Sequence, residues 1–309
     1  MKLVTFENGT GAQAIGILDG TRIAVLDAQT DPFFRSMLAL IEGGDAALAA
    51  ARKAQASASK IDLASVRLRA PLPEPVQMRD SLTFEMHLRQ ARTTISKLTP
   101  SVPDLSPEDV TLPQVWYDQP IYYKGNRFSV SGHEDEILWP KGETRLDYEL
   151  ELGMITGKGG QDISAAQGQD HIFGFLIFND FSARDHQMLE MTGGLGPAKG
   201  KDWKTANAMG PCIVTKDEIG DGSGLEMIAR VNGEEWSRGN SDMMHHSFGR
   251  ILEHVSRDEE IRAGEFFGSG TVGGGCGLEL NRYLAPGDIV ELEIEGIGVL
   301  RNKVGPRQR

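Results

Sequence analysis

The proline-rich stretch "APLPEP" divides this chain, because Pro71, Pro73 and Pro75 stand at alternate positions. Proline fixes the backbone angle φ and lacks a backbone N–H, so this stretch is expected to be stiff and extended and cannot lie inside a helix. We therefore predict a domain boundary here, with a small domain over residues 1–72 and a larger one over residues 73–309.

The segment before this boundary combines short strands with helices. Runs such as "KLVTF", "AIGIL" and "IAVLDA" alternate with turn sequences and predict a small sheet. The segment "DPFFRSMLALIEGGDAALAAARKAQA" has the composition of a helix, and its Gly-Gly-Asp at 43–45 predicts a break into two helices. A small α/β domain is expected.

The segment after the boundary consists mainly of predicted strands, such as "DYELELGMITG" and "IFGFLIFND", separated by Gly, Asn and Asp turns. "SLTFEMHLRQARTTISKL" and "SDMMHHSFGRILEHVSR" predict helices, and the Pro-rich loop over 99–114 is of a kind that often serves as a lid. The predicted fold class is therefore α+β, mostly β, with a small N-terminal α/β domain.

Composition limits the possible partners. A chain of 309 residues that is 39% hydrophobic can bury a sizeable core. Its formal charge of −12 disfavours broad nucleic-acid or anionic-membrane surfaces, although a small anion could bind in a locally cationic cleft. Two cysteines are too few for a disulfide framework, and the N-terminus has no long apolar targeting segment. We expect a cytoplasmic protein with no membrane and no nucleic-acid partner.

Acidic residues mark a candidate metal site. Asp147, Glu149 and Glu151 alternate along a predicted strand and would share one face. A solvated strand face is the alternative, since "ELEIEG" near the C-terminus has the same alternation. However, the apolar run "FGFLIF" leads directly into Asn179 and Asp180, and a carboxylate at the end of a buried strand is unfavourable unless it binds something. An oxygen-only shell of this kind suits Mg²⁺, Mn²⁺ or Ca²⁺.

Four blocks, in this order, resemble the fumarylacetoacetate hydrolase family: "LDYELELGMITGKGG", "GFLIFNDFSARDHQ", "GLGPAKGKDW" and "FGSGTVGGGCGLE". The resemblance covers roughly residues 76 to 300 and implies that family's mixed β-sandwich roll and a homodimer. It also implies metal carboxylates at Glu149, Glu151 and Asp180, a fourth ligand at Asp80, and a second-cation ligand at Thr205.

The same resemblance implies catalytic roles for His87, Glu279 and Lys201, and substrate contacts from Gln187, Thr271 and Lys201. His87 would activate water and Glu279 would orient it. Glu85 is the alternative partner of His87, but residues two apart on a helix do not face each other. Leu82 and Met191 stand where the type enzyme of the family has tyrosines, so its substrate is not carried over.

Several other residues in or near these blocks are expected to have structural or cleft-wall positions rather than catalytic ones. Asp147 is expected to pair with Arg145 or water rather than with the metal. The adjacent histidines of "MMHHSF" are interpreted as structural residues of one helix, and Cys276 as a small filler. Further candidates for the cleft wall are His186, Tyr122, Tyr123 and Lys124.

These expectations combine into one leading function. We predict a hydrolase dependent on Mg²⁺, or on Mn²⁺ or Ca²⁺, that cleaves a C–C bond in a small anionic β-diketo acid such as an acylpyruvate or a fumarylacetoacetate-like substrate. Water activated by His87 would attack, Lys201 or Gln187 would stabilise the oxyanion, and a metal-stabilised enolate would leave. The alternatives are a 2-oxo acid decarboxylase, hydratase or isomerase on the same metal site, and a non-catalytic metal-binding module.

Overall fold

A computed structural model describes residues 1–99 and 103–308 of the chain. In this part of the chain, twelve strands form one large sheet, five form a second sheet, and two form a short ribbon. The strands are β1 (Lys2–Glu7), β2 (Gln13–Asp19), β3 (Arg22–Leu26), β4 (Lys60–Asp62), β5 (Arg67–Leu68), β6 (Met78–Ser81), β7 (Tyr122–Lys124), β8 (Val130–Ser131), β9 (Glu136–Ile137), β10 (Leu146–Asp147), β11 (Leu150–Thr156), β12 (Ile172–Asp180), β13 (Ser182–Ala183), β14 (Asn207–Thr215), β15 (Glu226–Val231), β16 (Glu234–Asn240), β17 (Phe266–Gly268), β18 (Ile289–Ile294) and β19 (Gly298–Val304).

Helices are shorter elements placed around these sheets. They are α1 (Met37–Glu42), α2 (Gly44–Gln55), α3 (Glu85–Leu98), α4 (Gln114–Asp118), α5 (Ala165–Gly168), α6 (Arg184–Met191), α7 (Lys216–Ile219), α8 (Phe248–Ser256) and α9 (Gly277–Leu280). None of the described helices has both the length and the apolar character that a membrane span requires.

Strands β11 and β12 form the centre of the large sheet, whose order is β4-β3-β2-β1-β14-β12-β11-β17-β6-β7. Every residue of both strands is buried, as expected for a sheet covered on both faces. Successive side chains of β12 enter opposite cores: Phe175 and Ile177 pack with the five-stranded sheet and α8, whereas Leu176 and Phe178 pack with the N-terminal strands and α1. The mostly β α+β class is confirmed.

The N-terminal strands continue the large sheet. Strand β1 pairs antiparallel with β14, with Leu3 opposite Ile213. Strands β2, β3 and β4 follow β1 in sequence order toward one edge of the sheet. The division of the chain at residue 72 stays a prediction, because a shared sheet neither requires nor excludes separately folding segments.

Two local predictions have opposite outcomes. The break at Gly43–Gly44 is confirmed, since α1 ends at Glu42 and α2 begins at Gly44 with a positive φ of +54°. The single helix over 241–257 is wrong. His245 and His246 precede α8, because the Ser247 side chain accepts a hydrogen bond from the backbone N–H of Arg250 and caps the helix there.

The Pro-rich loop that follows α3 is anchored at several points. Residues 100–102 of this loop lie outside the described part, so the lid stays a prediction. Beyond them, Arg89 donates to the carbonyl of Val110 at 2.6 Å. The Trp116 indole donates to the carbonyl of Leu82, also at 2.6 Å.

Replacing Phe178 with alanine tests the central core. Phe178 is fully buried, and its ring meets that of Phe266 edge-on with centroids 4.8 Å apart. We expect Phe178→Ala to lower the free energy of unfolding by about 3–5 kcal/mol because it leaves a cavity. Phe128, which is 70% exposed, provides the control. Phe128→Ala should change the free energy of unfolding by less than about 0.5 kcal/mol. Urea unfolding followed by circular dichroism measures both, and equal losses would contradict this assignment of the core.

Candidate active site

Three carboxylates converge where strands of the large sheet end. Asp80 lies on β6, Glu151 on β11 and Asp180 at the end of β12, and one oxygen from each lies within 4.8 Å of the others. Strand β17 separates β6 from β11 and places Gly268 opposite Asp80. A Cβ on Gly268 would collide with Asp80 Oδ1 and lie 2.9 Å from Glu151 Oε2. The space for the cluster therefore depends on this glycine.

The electrostatics of this cluster indicate that positive charge is lacking. Burial, with the neighbouring Asp180, raises the pKa of Asp80 well above its ordinary value. Burial, with Asp80, does the same to the pKa of Glu151. Asp80 Oδ1 and Asp180 Oδ1 are buried and have no hydrogen-bond partner. Carboxylate oxygens with free lone pairs are the ligands that a hard divalent cation such as Mg²⁺ or Mn²⁺ prefers.

Lys201 lies among the carboxylates and provides part of the missing charge. Its ammonium donates to Glu149 Oε2 and to Asp180 Oδ2, both at 2.6 Å, and to Ser182 Oγ at 2.7 Å. Burial works against the ammonium, but Asp180 and Glu149 outweigh it and raise the pKa of Lys201 above its usual range. Lys201 is therefore held as a cation in contact with the candidate metal cluster.

Glu149 is placed differently from the other predicted ligands. Its two oxygens accept from Lys201 and, at 2.7 Å, from Arg184. Burial would raise its pKa, but these two cations lower it below the ordinary value. The compact group of oxygens contains Asp80, Glu151 and Asp180 but not Glu149. The role of Glu149 as a metal ligand stays a prediction. To bind the metal, Glu149 would have to give up its contact with Lys201 or with Arg184.

The pairing predicted for Asp147 is wrong. Asp147 is fully buried and accepts from Arg184 Nε at 2.8 Å and from a terminal Arg184 nitrogen at 2.6 Å. Arg145 instead donates to Asp185 at 2.7 Å. A buried carboxylate needs a counterion that is itself buried, and Arg184, 2% exposed, meets this need. Sequence reasoning missed Arg184, although it stands four residues after Asp180 in one of the four family-like blocks.

His87 and Glu279 form a pair beside this cluster. His87 Nδ1 contacts Glu279 Oε1, joining α3 to α9. Burial raises the pKa of Glu279, and the adjacent His87 partly offsets this. An isolated strand bridge sets Glu149 opposite Cys276, whose sulfur lies 3.6 Å from Glu279 Oε1. This bridge brings the histidine–glutamate pair to the carboxylates.

The alternative partner of His87 has other contacts. Glu85 accepts hydrogen bonds from Arg89 at 2.8 Å and from the Tyr117 hydroxyl at 2.9 Å. Glu279, by contrast, is oriented through the start of its own helix. The backbone N–H groups of Gly277 and Leu278 donate to Asp147 at 2.7 and 2.8 Å and fix the first turn of α9.

The predicted substrate-contacting residues surround the same centre. Gln187 accepts from Arg184 at 2.8 Å, and the Thr271 hydroxyl lies 3.3 Å from Glu151 Oε1. Tyr123, a candidate for the cleft wall, donates to Asp180 Oδ2 at 2.8 Å. Thr205 accepts from the backbone N–H of Leu138 at 2.8 Å, a contact with no cluster residue, so its second-cation role stays a prediction.

The histidines outside this centre have structural contacts. His186, which sequence reasoning left as a candidate for the cleft, bonds Glu143 Oε2 at 2.8 Å through Nδ1. His246 bonds the carbonyl of Trp116 at 2.8 Å. His245 stacks on the Trp116 ring with centroids 5.0 Å apart.

An oxygen-rich cluster beside a histidine–glutamate pair combines ligand atoms for a hard cation with an acid–base side chain, as metal-dependent enzyme sites do. The chain belongs to the fumarylacetoacetate hydrolase family: the family model described as "Fumarylacetoacetate (FAA) hydrolase C-terminal" matches residues 82–305. The family expected from the sequence blocks is therefore confirmed.

Two relatives of this chain are named as oxaloacetate tautomerases, which are isomerases. The chain is 30% identical over 287 residues to the mitochondrial oxaloacetate tautomerase FAHD2A of Homo sapiens, covering 93% of this chain and 85% of the relative. It is 31% identical over 280 residues to the oxaloacetate tautomerase YisK of Bacillus subtilis, covering 87% and 86%.

Solved structures share the fold along the whole chain. A fumarylacetoacetate hydrolase from Exiguobacterium antarcticum matches with a TM-score of 0.75 at 26% identity, covering 99% of this chain and all of the other. A maleylpyruvate hydrolase from Sphingobium sp. SYK-6, solved with manganese(II) and pyruvate, matches with a TM-score of 0.77 at 22% identity, covering both chains completely. At this lower identity the likeness concerns the fold alone.

Replacing Gly268 tests whether the carboxylate cluster holds a cation. A methyl group there would push Asp80 and Glu151 apart, so Gly268→Ala should weaken Mn²⁺ binding by roughly 10–100-fold. A Cβ added at Gly9 would have no other atom within 4 Å, and Gly9→Ala should leave the affinity unchanged. Isothermal titration measures both, and an undiminished affinity in Gly268→Ala would place the cation elsewhere.

Proposed function

We propose that this protein is a divalent-metal-dependent tautomerase that interconverts the enol and keto forms of oxaloacetate or a closely related 2-oxo dicarboxylic acid. The observation that carries this proposal is the buried contact between His87 and Glu279 beside the cluster of Asp80, Glu151 and Asp180. Two relatives at 30–31% identity that match most of the chain, both named oxaloacetate tautomerases, support the choice of reaction.

His87 would move the proton. A carboxylate only accepts hydrogen bonds, so with ionised Glu279 as its partner the ring carries its hydrogen on Nδ1. Nε2 then has a free lone pair and can take a proton from the enol oxygen or from C3 of the keto acid. Returning that proton to the other atom completes the tautomerisation without a net change in composition.

The carboxylate cluster would hold the cation. Asp80, Glu151 and Asp180 would hold the ion, which would supply Lewis acidity that stabilises developing enolate charge. Lys201 and Arg184, in contact with Glu149, would offset part of the negative charge of the carboxylates and so reduce the repulsion of an anionic substrate. Gln187, beside Arg184, can donate through its amide to a substrate oxygen.

Hydrolysis of a C–C bond is the second candidate. The similarity to the fumarylacetoacetate hydrolase of Exiguobacterium antarcticum favours it. The same free Nε2 of His87 could take a proton from water, which would then attack a carbonyl. The two reactions differ in whether water is placed between His87 and the substrate.

Product analysis separates these candidates. With Mg²⁺ present, freshly dissolved enol-oxaloacetate should lose its ultraviolet enol absorbance faster with enzyme than without, and carbon dioxide should form no faster than in the enzyme-free control. An acylpyruvate should remain intact under the same conditions. Release of pyruvate together with a second acid would instead favour the hydrolase, and release of carbon dioxide a decarboxylase.

Replacing His87 tests the role of the proton-transfer pair. His87→Ala should lower kcat by roughly 10²–10⁴-fold, because the general acid–base group is lost, while Mn²⁺ affinity stays within about twofold of the wild type. His133, whose ring accepts from the backbone N–H of Arg301, provides the control, and His133→Ala should retain activity. Undiminished turnover in His87→Ala would refute this mechanism.

A further inference from the structure

A second group of metal-binding side chains lies next to the carboxylate cluster. His87, Cys276 and Glu279 each offer one ligand atom, and the three atoms lie within 4.8 Å of one another. This group is chemically different from the cluster of Asp80, Glu151 and Asp180, because it combines nitrogen, sulfur and oxygen. Such mixed ligand sets are typical of Zn²⁺ rather than of Mg²⁺.

The spacing within this group suits a tetrahedral ion. Zinc–sulfur and zinc–carboxylate bonds of about 2.3 and 2.0 Å, at a tetrahedral angle, place the two ligand atoms about 3.5 Å apart. The observed separation between Cys276 Sγ and Glu279 Oε1 is 3.6 Å. His87 Nδ1, which now contacts Glu279, would turn slightly outward to make the third bond.

We propose that His87, Cys276 and Glu279 form a second metal site, which binds a thiophilic divalent cation such as Zn²⁺. Three protein ligands leave the fourth tetrahedral position for water or for a substrate oxygen. The ion would enter past the imidazole, since the His87 side chain is 9% exposed and that of Glu279 only 1%.

The environment of Cys276 makes this site selective. Cys276 offers sulfur as its ligand atom, and a thiolate forms strong bonds with thiophilic ions such as Zn²⁺. Mg²⁺ and Ca²⁺ prefer oxygen and do not form such a bond, so they would occupy only the carboxylate cluster.

Occupancy of this site would stop catalysis, an expectation that rests on the proposed function. A neutral imidazole bound to zinc through Nδ1 carries its hydrogen on Nε2 and cannot accept another proton. Glu279 would also be withdrawn from its role in orienting His87. The site therefore allows inhibition by zinc without displacement of the metal from the carboxylate cluster.

Zinc titration of the magnesium-saturated protein tests the site directly. Competition with a chromophoric chelator should detect one equivalent of Zn²⁺ bound to the wild type. Cys276→Ala should lower the zinc affinity by at least about 100-fold. Cys212 is the matched control, because it is also free and fully buried but lies against the carbonyl of Ile297. Cys212→Ala should bind zinc like the wild type. Equal zinc affinity in Cys276→Ala would overturn the proposal.

Cobalt provides a readout that needs neither a variant nor activity. Co²⁺ added to the magnesium-saturated wild type should produce a thiolate-to-cobalt charge-transfer band in the near ultraviolet, and absence of that band would also overturn the proposal. Tautomerase activity is then measured during the zinc titration. Zinc binding that requires Cys276 but leaves turnover unchanged would support the site and refute His87 as the proton-transfer group.

Discussion

Buried negative charge is the constraint on which the rest of this structure depends. Five carboxylates, those of Asp80, Asp147, Glu149, Glu151 and Asp180, lie buried around the ends of the central strands. Lys201 and Arg184 contact them and supply two positive charges. An ion left unpaired in a protein interior costs several kcal/mol, so the arrangement fits a protein that folds around a bound divalent cation.

The same charge balance positions the pair of His87 and Glu279. Arg184 binds Asp147, and Asp147 in turn holds the first N–H groups of α9. That short helix carries Glu279, which meets His87 on α3. The carboxylate cluster and the His87–Glu279 pair are thus joined by hydrogen bonds through Asp147, which is not itself a predicted metal ligand.

The relatives of this chain carry the names of more than one reaction, since oxaloacetate tautomerases and a fumarylacetoacetate hydrolase are both among them. Leu82 and Met191 differ from the tyrosines of the type enzyme, and they have different surroundings. The carbonyl of Leu82 accepts the Trp116 indole hydrogen, whereas the Met191 side chain is 55% exposed after the end of α6. Neither position offers a side chain that forms hydrogen bonds.

The sequence alone determined the family, the mostly β class and the main members of the centre, because each lies in a distinctive local block. Alternation along a predicted strand indicated Glu151, the end of an apolar run indicated Asp180, and the resemblance of the sequence blocks to the family implied Asp80 and His87. The resemblance also implied Glu279 as the partner of His87, helix geometry argued against Glu85, and the contacts agree.

Only the tertiary structure decided which charges face each other. Asp147 pairs with Arg184, not with its near neighbour Arg145, because full burial demands a buried counterion and the ribbon of β10 and β13 brings that counterion close. Cys276 likewise changes from a filler to a candidate ligand only because the fold brings His87 of α3 to the Glu279 that stands three residues after it. Local sequence encodes strands and carboxylates, whereas pairing across 37 or more residues depends on how the strands are arranged in the sheet.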